Sequence, residues 1–438
     1  MARDPIGLAL ATINRLAGAP WLDRFGLRKR AERLAFQGTR AGFHALAASS
    51  KGFKRARQLL PTQRLPGPSR QDLFDLSLSD EQQMIVDSLQ RLAQEAIRPA
   101  AAIADEAGKL TPDLEAAINE LGLIHYAVPA AFGGTAEHQS PVTSVLIGEQ
   151  LAWGDMGIAL AALSTLSVAQ ALTRWGSGHQ QSRYLPEFCE SDAEAPVATI
   201  AVDEPHPLFD PYHLHTRAHR TEHGFVLNGL KSSVVRASEA RLLLVSADLE
   251  NEGPRLFLVE PGAAGLACKP DPAMGVRAAS TEQVALSDVA LPEGALLGEN
   301  DDFDYREFLD RSSLMRCALA IGCAQAVLDY VIPYCNEREA FGEPISHRQS
   351  VAFMISNIAI ELDAMRLLTW RAASRAEQGL PFSRETALAR LFCNEKAMEI
   401  GSQGVQLLGG HGFVKEHPVE RWYRDLRSIA VLNGGLQA

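Results

Sequence analysis

Twice along the 438-residue chain the period of the apolar residues changes, and these two switches limit the architecture more than any single motif. Over about 76–195, and again over 301–438, apolar residues recur at intervals of three and four, the mark of helices with one covered face. Between them, over 196–300, the pattern becomes a series of short apolar runs: Phe225–Leu227, Leu242–Ala247, Leu256–Val259 and Val284–Leu291. Asn228-Gly229 and Gly253-Pro254 read as turns between such strands. The expected fold is multi-domain α and β: an N-terminal helical domain, a middle β domain built as a barrel or sheet, and a C-terminal four-helix bundle. The expected limits are 76–195, 196–300 and 301–438, preceded by a basic extension and linker over 1–75.

The helical signals are local and chemical. Ser79 followed by Gln82 predicts a capping box, in which each side chain accepts a backbone N–H that the helix leaves orphaned. Ile85, Leu89, Leu92, Ala96 and Ile97 then form its apolar face. Thr111-Pro112 opens a further helix with Leu114, Ile118 and Leu121 on one side, and Gly122 can end it. The block closes near Phe188. Near the C-terminus, Ile355, Ile358, Leu362, Met365 and Leu368 mark one side of a long helix, which predicts antiparallel bundle packing.

Charge is uneven. Residues 1–75 hold 14 Lys+Arg and 5 Asp+Glu, whereas the whole chain is −11. An acidic body argues against nucleic acid as its partner. The basic arm, with Leu22, Phe25, Leu34, Phe36 and Phe43, is expected to pack on the body or to make peripheral contact with an anionic membrane face. The six cysteines form no CxxC pair and no Cys/His cluster with zinc spacing, so neither a metal site nor a disulfide framework is expected. The sequence gives no signal-peptide pattern and no apolar run of bilayer length, and the expected location is cytoplasmic.

Five segments carry a resemblance: Glu120–Gly134 (ELGLIHYAVPAAFGG), Arg183–Phe188 (RYLPEF), Phe225–Lys231 (FVLNGLK), Glu337–Gln349 (EREAFGEPISHRQ) and Gln406–Arg427 (QLLGGHGFVKEHPVERWYRDLR). In this order they resemble the acyl-CoA dehydrogenase family, FAD-dependent enzymes that dehydrogenate acyl-CoA thioesters and pass electrons to acceptors such as an electron-transfer flavoprotein. The physical reading of the residues agrees. Arg338 offers a fork of donors suited to phosphate, Phe341 a flat apolar face, and Gln349 and Gln406 amide groups. Gly409-Gly410 permits close approach of a backbone. The resemblance implies that Arg338, Phe341, Gln349, Gln406, Gly409, Gly410 and Gln437 touch FAD held mainly by a neighbouring subunit, and hence a homo-oligomer, dimer or tetramer.

The reactive half departs from the family pattern. The usual glutamate base falls at Asn433, counted from Arg424-Asp425, and the alternative helix position falls at Ser312 in Leu309-Asp310-Arg311-Ser312. Neither group is basic at neutral pH. Asp203 and Phe209 stand where the family has hydroxyls facing flavin and substrate, and Val235 replaces a threonine that bonds the flavin. Asp203 and Asp310 are the carboxylates left as candidate bases. Three readings stay open: an acyl-CoA dehydrogenase with another base, a silent FAD-binding subunit paired with an active paralogue, and a flavoenzyme of different chemistry. A fourth, a scaffold without flavin, is of another class.

Overall fold

The computed structural model describes residues 77–189, 196–298 and 303–432. The basic extension, Asn433 and Gln437 lie outside these ranges. The first described block is helical: α1 (Asp80–Leu92), a π-helical turn (Ala93–Ile97), α2 (Arg98–Ala107), α3 (Pro112–Glu120), α4 (Pro141–Gly154), α5 (Met156–Trp175) and α6 (Gly178–Cys189). The capping box is present: Gln82 N–H donates to Ser79 Oγ at 3.1 Å, and Ser79 N–H to Gln82 Oε1 at 3.1 Å. Thr111 caps α3, and Gly122, at φ 59°, follows its end.

Seven strands make one mixed sheet: β1 (Val197–Ala201), β2 (Arg217–Thr221), β3 (Gly224–Val235), β4 (Ala240–Leu249), β5 (Gly253–Val259), β6 (Leu266–Pro270) and β7 (Thr281–Pro292). Their order is β1-β4-β2-β3-β7-β6, with β5 on β4. The two expected turn dipeptides are corrected: Gly253-Pro254 opens β5, already paired with Leu249 and Asp248 of β4. Asn228-Gly229 lies inside β3, at a break in its register with β7. The asparagine side chain is bonded on both sides to Asp288, at 2.9 and 2.8 Å. A Cβ on Gly229 would stand 2.5 Å from Thr216 Oγ1, so the glycine serves a close approach between strands.

The last block holds α7 (Tyr305–Glu337), a small hairpin of β8 (Glu339–Ala340) and β9 (Glu343–Pro344), α8 (Gln349–Glu377), α9 (Ser383–Leu408) and α10 (Val419–Ser428). A second expectation is corrected here. Helices α5 and α7 are each long and apolar enough to cross a membrane by length and composition, although no such run was expected. They are apolar because they are core helices, with 67% of each apolar window buried in the fold. Helices α4 and α7 cross so closely that a Cβ on Gly322 would meet Glu149 O at 2.1 Å.

Helix α10 ties the three regions together. Arg421 Nε donates to buried Asp155 Oδ2 at 3.0 Å, and Arg424 grips Asp105 with two bonds of 2.9 Å. Asp425 accepts Val276 N–H at 2.6 Å. Arg98 stacks 3.6 Å over the Trp153 ring and 5.1 Å from that of Trp422.

Candidate active site

Helices α5 and α7 run antiparallel where they meet: Arg174 bonds Glu307, and Trp175 packs edge-on against Phe308 at 6.1 Å. Each presents one face to a cavity. On α5 that face is Leu160, Leu163, Ser164, Ser167, Gln170, Ala171 and Arg174, and on α7 it is Phe308, Arg311, Ser312, Met315, Arg316 and Leu319. These are helical spacings of three and four, so one side of each helix lines the space over several turns. Helix α4 adds Ser144 and Val145, β1 and its exit add Thr199, Ile200, Val202 and Asp203, and β3 adds Ser232, Ser233 and Val235. Leu432 also reaches the wall, next in the chain to Asn433.

The structure therefore brings Ser312, Asp203 and Val235 into one cavity. Asp203 is the only carboxylate among the described residues that line it. Phe209 is buried in the main core instead, and is absent from the wall. Arg316 went unforeseen. It lies one helical turn beyond Ser312 on the same face, a spacing that could have revealed it. Burial pushes its guanidinium down to about 10, and the charge of Asp203 acts in the opposite direction. Its Nη2 donates to Ser313 Oγ at 2.8 Å. The negative charge expected beside the reactive ring thus has a cationic neighbour.

Beneath this wall lies a fully buried ion pair. Lys231 Nζ donates to Glu204 Oε1 at 2.9 Å, Ser246 Oγ at 3.0 Å and Val202 O at 3.1 Å. Glu204 also accepts the backbone N–H groups of His215 and Thr216, at 2.7 and 2.9 Å. Burial alone would raise the Glu204 carboxyl, but Lys231 and the N–H donors outweigh it and hold the group at about 2. Burial draws Lys231 down to about 8, against the pull of Glu204. Both are charged at neutral pH, and they fix the exit of β1 that carries Asp203.

Asp310 does not reach the central cavity. It lines a neighbouring one with Tyr212, Arg306, Ser313, Ser383, Thr386 and Arg390, and Arg316 forms part of both walls. Burial raises the Asp310 carboxyl, opposed by the Ser383 hydroxyl and by Arg306 and Arg390. Asp310 Oδ2 and Thr386 Oγ1 are buried there without a hydrogen-bond partner. Three arginines, Arg306, Arg316 and Arg390, against the one carboxylate of Asp310 give this wall a surplus of positive charge that suits an anionic ligand.

Of the residues expected at the cofactor, Asp203 and Val235 line this central cavity, whereas the remaining described ones gather elsewhere, at one end of the bundle. Arg338 caps α7, Phe341 lies in the β8–β9 hairpin, Gln349 begins α8, and Gln406, Gly409 and Gly410 lie at the end of α9. Tyr334 of α7 ties the two helix ends by its hydrogen bond to His411 Nδ1, 2.7 Å. Phe341 is 96% exposed with φ 57°, and a Cβ on Gly410 would meet nothing within 4 Å. Exposed phosphate and amide donors, a bare aromatic face and open backbone fit the diphosphate and adenine end of a dinucleotide. None of them lines the central cavity.

One group missed in the sequence has metal-ligand chemistry: Glu204, His206 and His215 hold ligand atoms within 4.8 Å of one another. The Glu204 carboxylate is already engaged by Lys231 and two backbone donors, so it is occupied as a structural anchor.

Comparison with known proteins follows the same division. Residues 79–192, 199–289 and 305–437 match the family descriptions "Acyl-CoA dehydrogenase, N-terminal domain", "middle domain" and "C-terminal domain". The chain is similar to the short/branched chain specific acyl-CoA dehydrogenase of Rattus norvegicus, with 30% identity over 82% of this chain and 83% of that one. It is similar to the short-chain specific acyl-CoA dehydrogenase of Mus musculus, at 30% identity over 82% and 88% of the two chains. Among solved structures, butyryl-CoA dehydrogenase from Megasphaera elsdenii superposes with a TM-score of 0.75 at 25% identity, covering 83% of this chain and 97% of that one. A chain from a structure of the electron transferring flavoprotein of Acidaminococcus fermentans also gives 0.75, at 28% identity over 83% and 97%.

Proposed function

Since the chain belongs to the acyl-CoA dehydrogenase family, we propose that it binds FAD and an acyl-CoA thioester and carries out α,β-dehydrogenation weakly, without the usual glutamate. The observation that carries this reading is the central cavity, formed where the two helical blocks meet the sheet. It holds Ser312 and Asp203 together, and Asp203 is the one carboxylate of its described wall. When bound, FAD supplies a two-electron acceptor for the β-hydrogen. The chain's own part is to hold the acyl group between α5 and α7 and to take the α-proton on an Asp203 carboxylate oxygen. A general base contributes about 10²–10⁴-fold, and a short aspartate beside a cationic Arg316 is a poor substitute for a glutamate placed for the task. The arginine-walled neighbouring cavity receives the phosphates of the thioester's carrier, and Arg316 stands between the two spaces.

A second copy of the chain completes the cofactor site. Two observations support this: the donors Arg338, Gln349 and Gln406 are away from the cavity, and Phe353, Ile360 and Leu367 expose an apolar stripe at seven-residue steps on α8. Ser312 and the cationic wall also support a second reading, a silent subunit paired with an active paralogue. Anaerobic titration of the FAD-loaded protein with acyl-CoAs of graded length separates the two. Slow bleaching that is lost in Asp203→Asn supports the enzyme, whereas ligand-induced spectral shifts without bleaching support the silent subunit. Absence of bound flavin would overturn both.

A further inference from the structure

The wall of the central cavity is unevenly polar. At one end stand Leu160, Leu163 and Leu319. Towards the other end α5 presents Ser164, Ser167, Gln170 and Arg174, and α7 presents Ser312 and Arg311. The stretch of α5 from Leu160 to Arg174 spans roughly 21 Å, and Ala171, Trp175, Phe308 and Met315 make the wall as a whole more apolar than polar, so the charged end stands apart from the rest. The two arginines at its end share one carboxylate: Arg311 Nε lies 2.8 Å from Glu307 Oε1, and Arg174 Nη2 lies 3.3 Å from the same atom. Two guanidinium groups against a single glutamate leave an excess positive charge at the wall. The amides nearby are ordered as well: Gln170 Nε2 donates to Ser144 Oγ at 2.9 Å, and Gln139 Nε2 to Gln170 O at 2.9 Å.

The apolar part of the wall suits a saturated acyl chain, and the Ser164 and Ser167 hydroxyls are satisfied by the carbonyls of Ala161 and Leu163, but an apolar chain end gains nothing at the two arginines, where it would cover a net cation without compensation. A carboxylate at the far end of the acyl group supplies what the wall lacks. Its two oxygens match the guanidinium fork, and its charge balances the excess. We propose that the acyl group this cavity accepts ends in a carboxylate, so that the substrates are thioesters of dicarboxylic acids held by Arg174 and Arg311. The proposal rests on the reading of the cavity as an acyl-CoA site.

The test compares matched pairs on the FAD-loaded protein by calorimetry and by perturbation of the flavin spectrum: succinyl-CoA against butyryl-CoA, glutaryl-CoA against valeryl-CoA, and adipyl-CoA against hexanoyl-CoA. At least one dicarboxylyl member binds about tenfold or more tightly than its plain partner, the scale of one charge-assisted hydrogen bond. Arg174→Leu removes a side chain that is 48% exposed, so the fold is kept while the preference falls by about tenfold, and Arg174→Lys restores part of it. Arg311→Leu gives the same loss. Equal or tighter binding of the plain acyl-CoAs, or a preference that survives both leucine variants, overturns the inference and leaves the acyl-CoA reading standing. If no acyl-CoA of either kind binds, the acyl-CoA reading falls and this inference with it.

Discussion

The cofactor end of the bundle and the central cavity differ in how the chain builds them. Arg338, Phe341, Gln349, Gln406, Gly409 and Gly410 come from two continuous segments around helix ends, and they lie on the outside of the protomer. The cavity wall is assembled from five separate elements, α4, α5, β1, β3 and α7. At the first site the residue types suited to phosphate and adenine are present. At the second, Ser312, Asp203, Val235 and Arg316 meet in one space whose described wall holds a single carboxylate, that of Asp203. The two sets of residues can therefore change independently, because no described residue of the first set lines the cavity.

Restoring a base should give the largest effect. Ser312→Glu places a carboxylate on the cavity-facing side of α7, and Asn433→Glu one next to Leu432, which lines the wall. Either is expected to raise acyl-CoA-dependent dye reduction by about 10²–10⁴-fold. If neither gains while both retain FAD, the cationic wall around Arg316 is the block, and the comparison sharpens in favour of a silent subunit.

The support under Asp203 comes next. Lys231→Met leaves the Glu204 charge buried without its partner, and a loss of about 3–5 kcal/mol is expected in chemical denaturation. The pH dependence has a definite sign. The folded Glu204 is held at about 2, below its ordinary 4.5, so its contribution is fully present above pH 4.5 and disappears as pH falls toward 2. Thermal melts of the parent should lose stability over that window, and those of Lys231→Met should lose less. A parent melting curve flat from pH 5 to 2 would remove the ion pair from the account.

At the other site the expected change is smaller. Arg338→Ala removes a charge-assisted contact, about 1.5–3 kcal/mol, and should weaken FAD retention roughly 10- to 100-fold while leaving the fold and the cavity untouched. Dialysis against flavin-free buffer reads this directly. Unchanged retention would break the comparison on its cofactor side.

How much of this was legible in the sequence follows from the same contrast. Ser79 with Gln82, and Thr111-Pro112 with Gly122, announced helix ends because caps are local chemistry. The residues assigned to the cofactor by resemblance stood out for a related reason, as members of continuous motifs. Asn228-Gly229 misled because a turn dipeptide and a close strand contact both call for glycine, and only the packing against Thr216 tells them apart. Asp310 and Ser312 are two residues apart, yet α7 turns them into different cavities, a separation that helix geometry decides once the face of Ser312 is known. Arg316 escaped because it belongs to no motif, although its four-residue spacing from Ser312 was there to be read.

The central claim is that this chain keeps the cofactor end of its family and has lost the strong base. The most direct measurement is the rate at which acyl-CoA bleaches the flavin of the FAD-loaded parent chain under anaerobic single-turnover conditions, alongside Ser312→Glu and Asn433→Glu. The account predicts a flavin-bearing parent that bleaches far more slowly than at least one of the two glutamate variants. A parent that holds FAD and turns over at ordinary enzyme rates, roughly 1–10³ s⁻¹, with no gain in either variant, would contradict it.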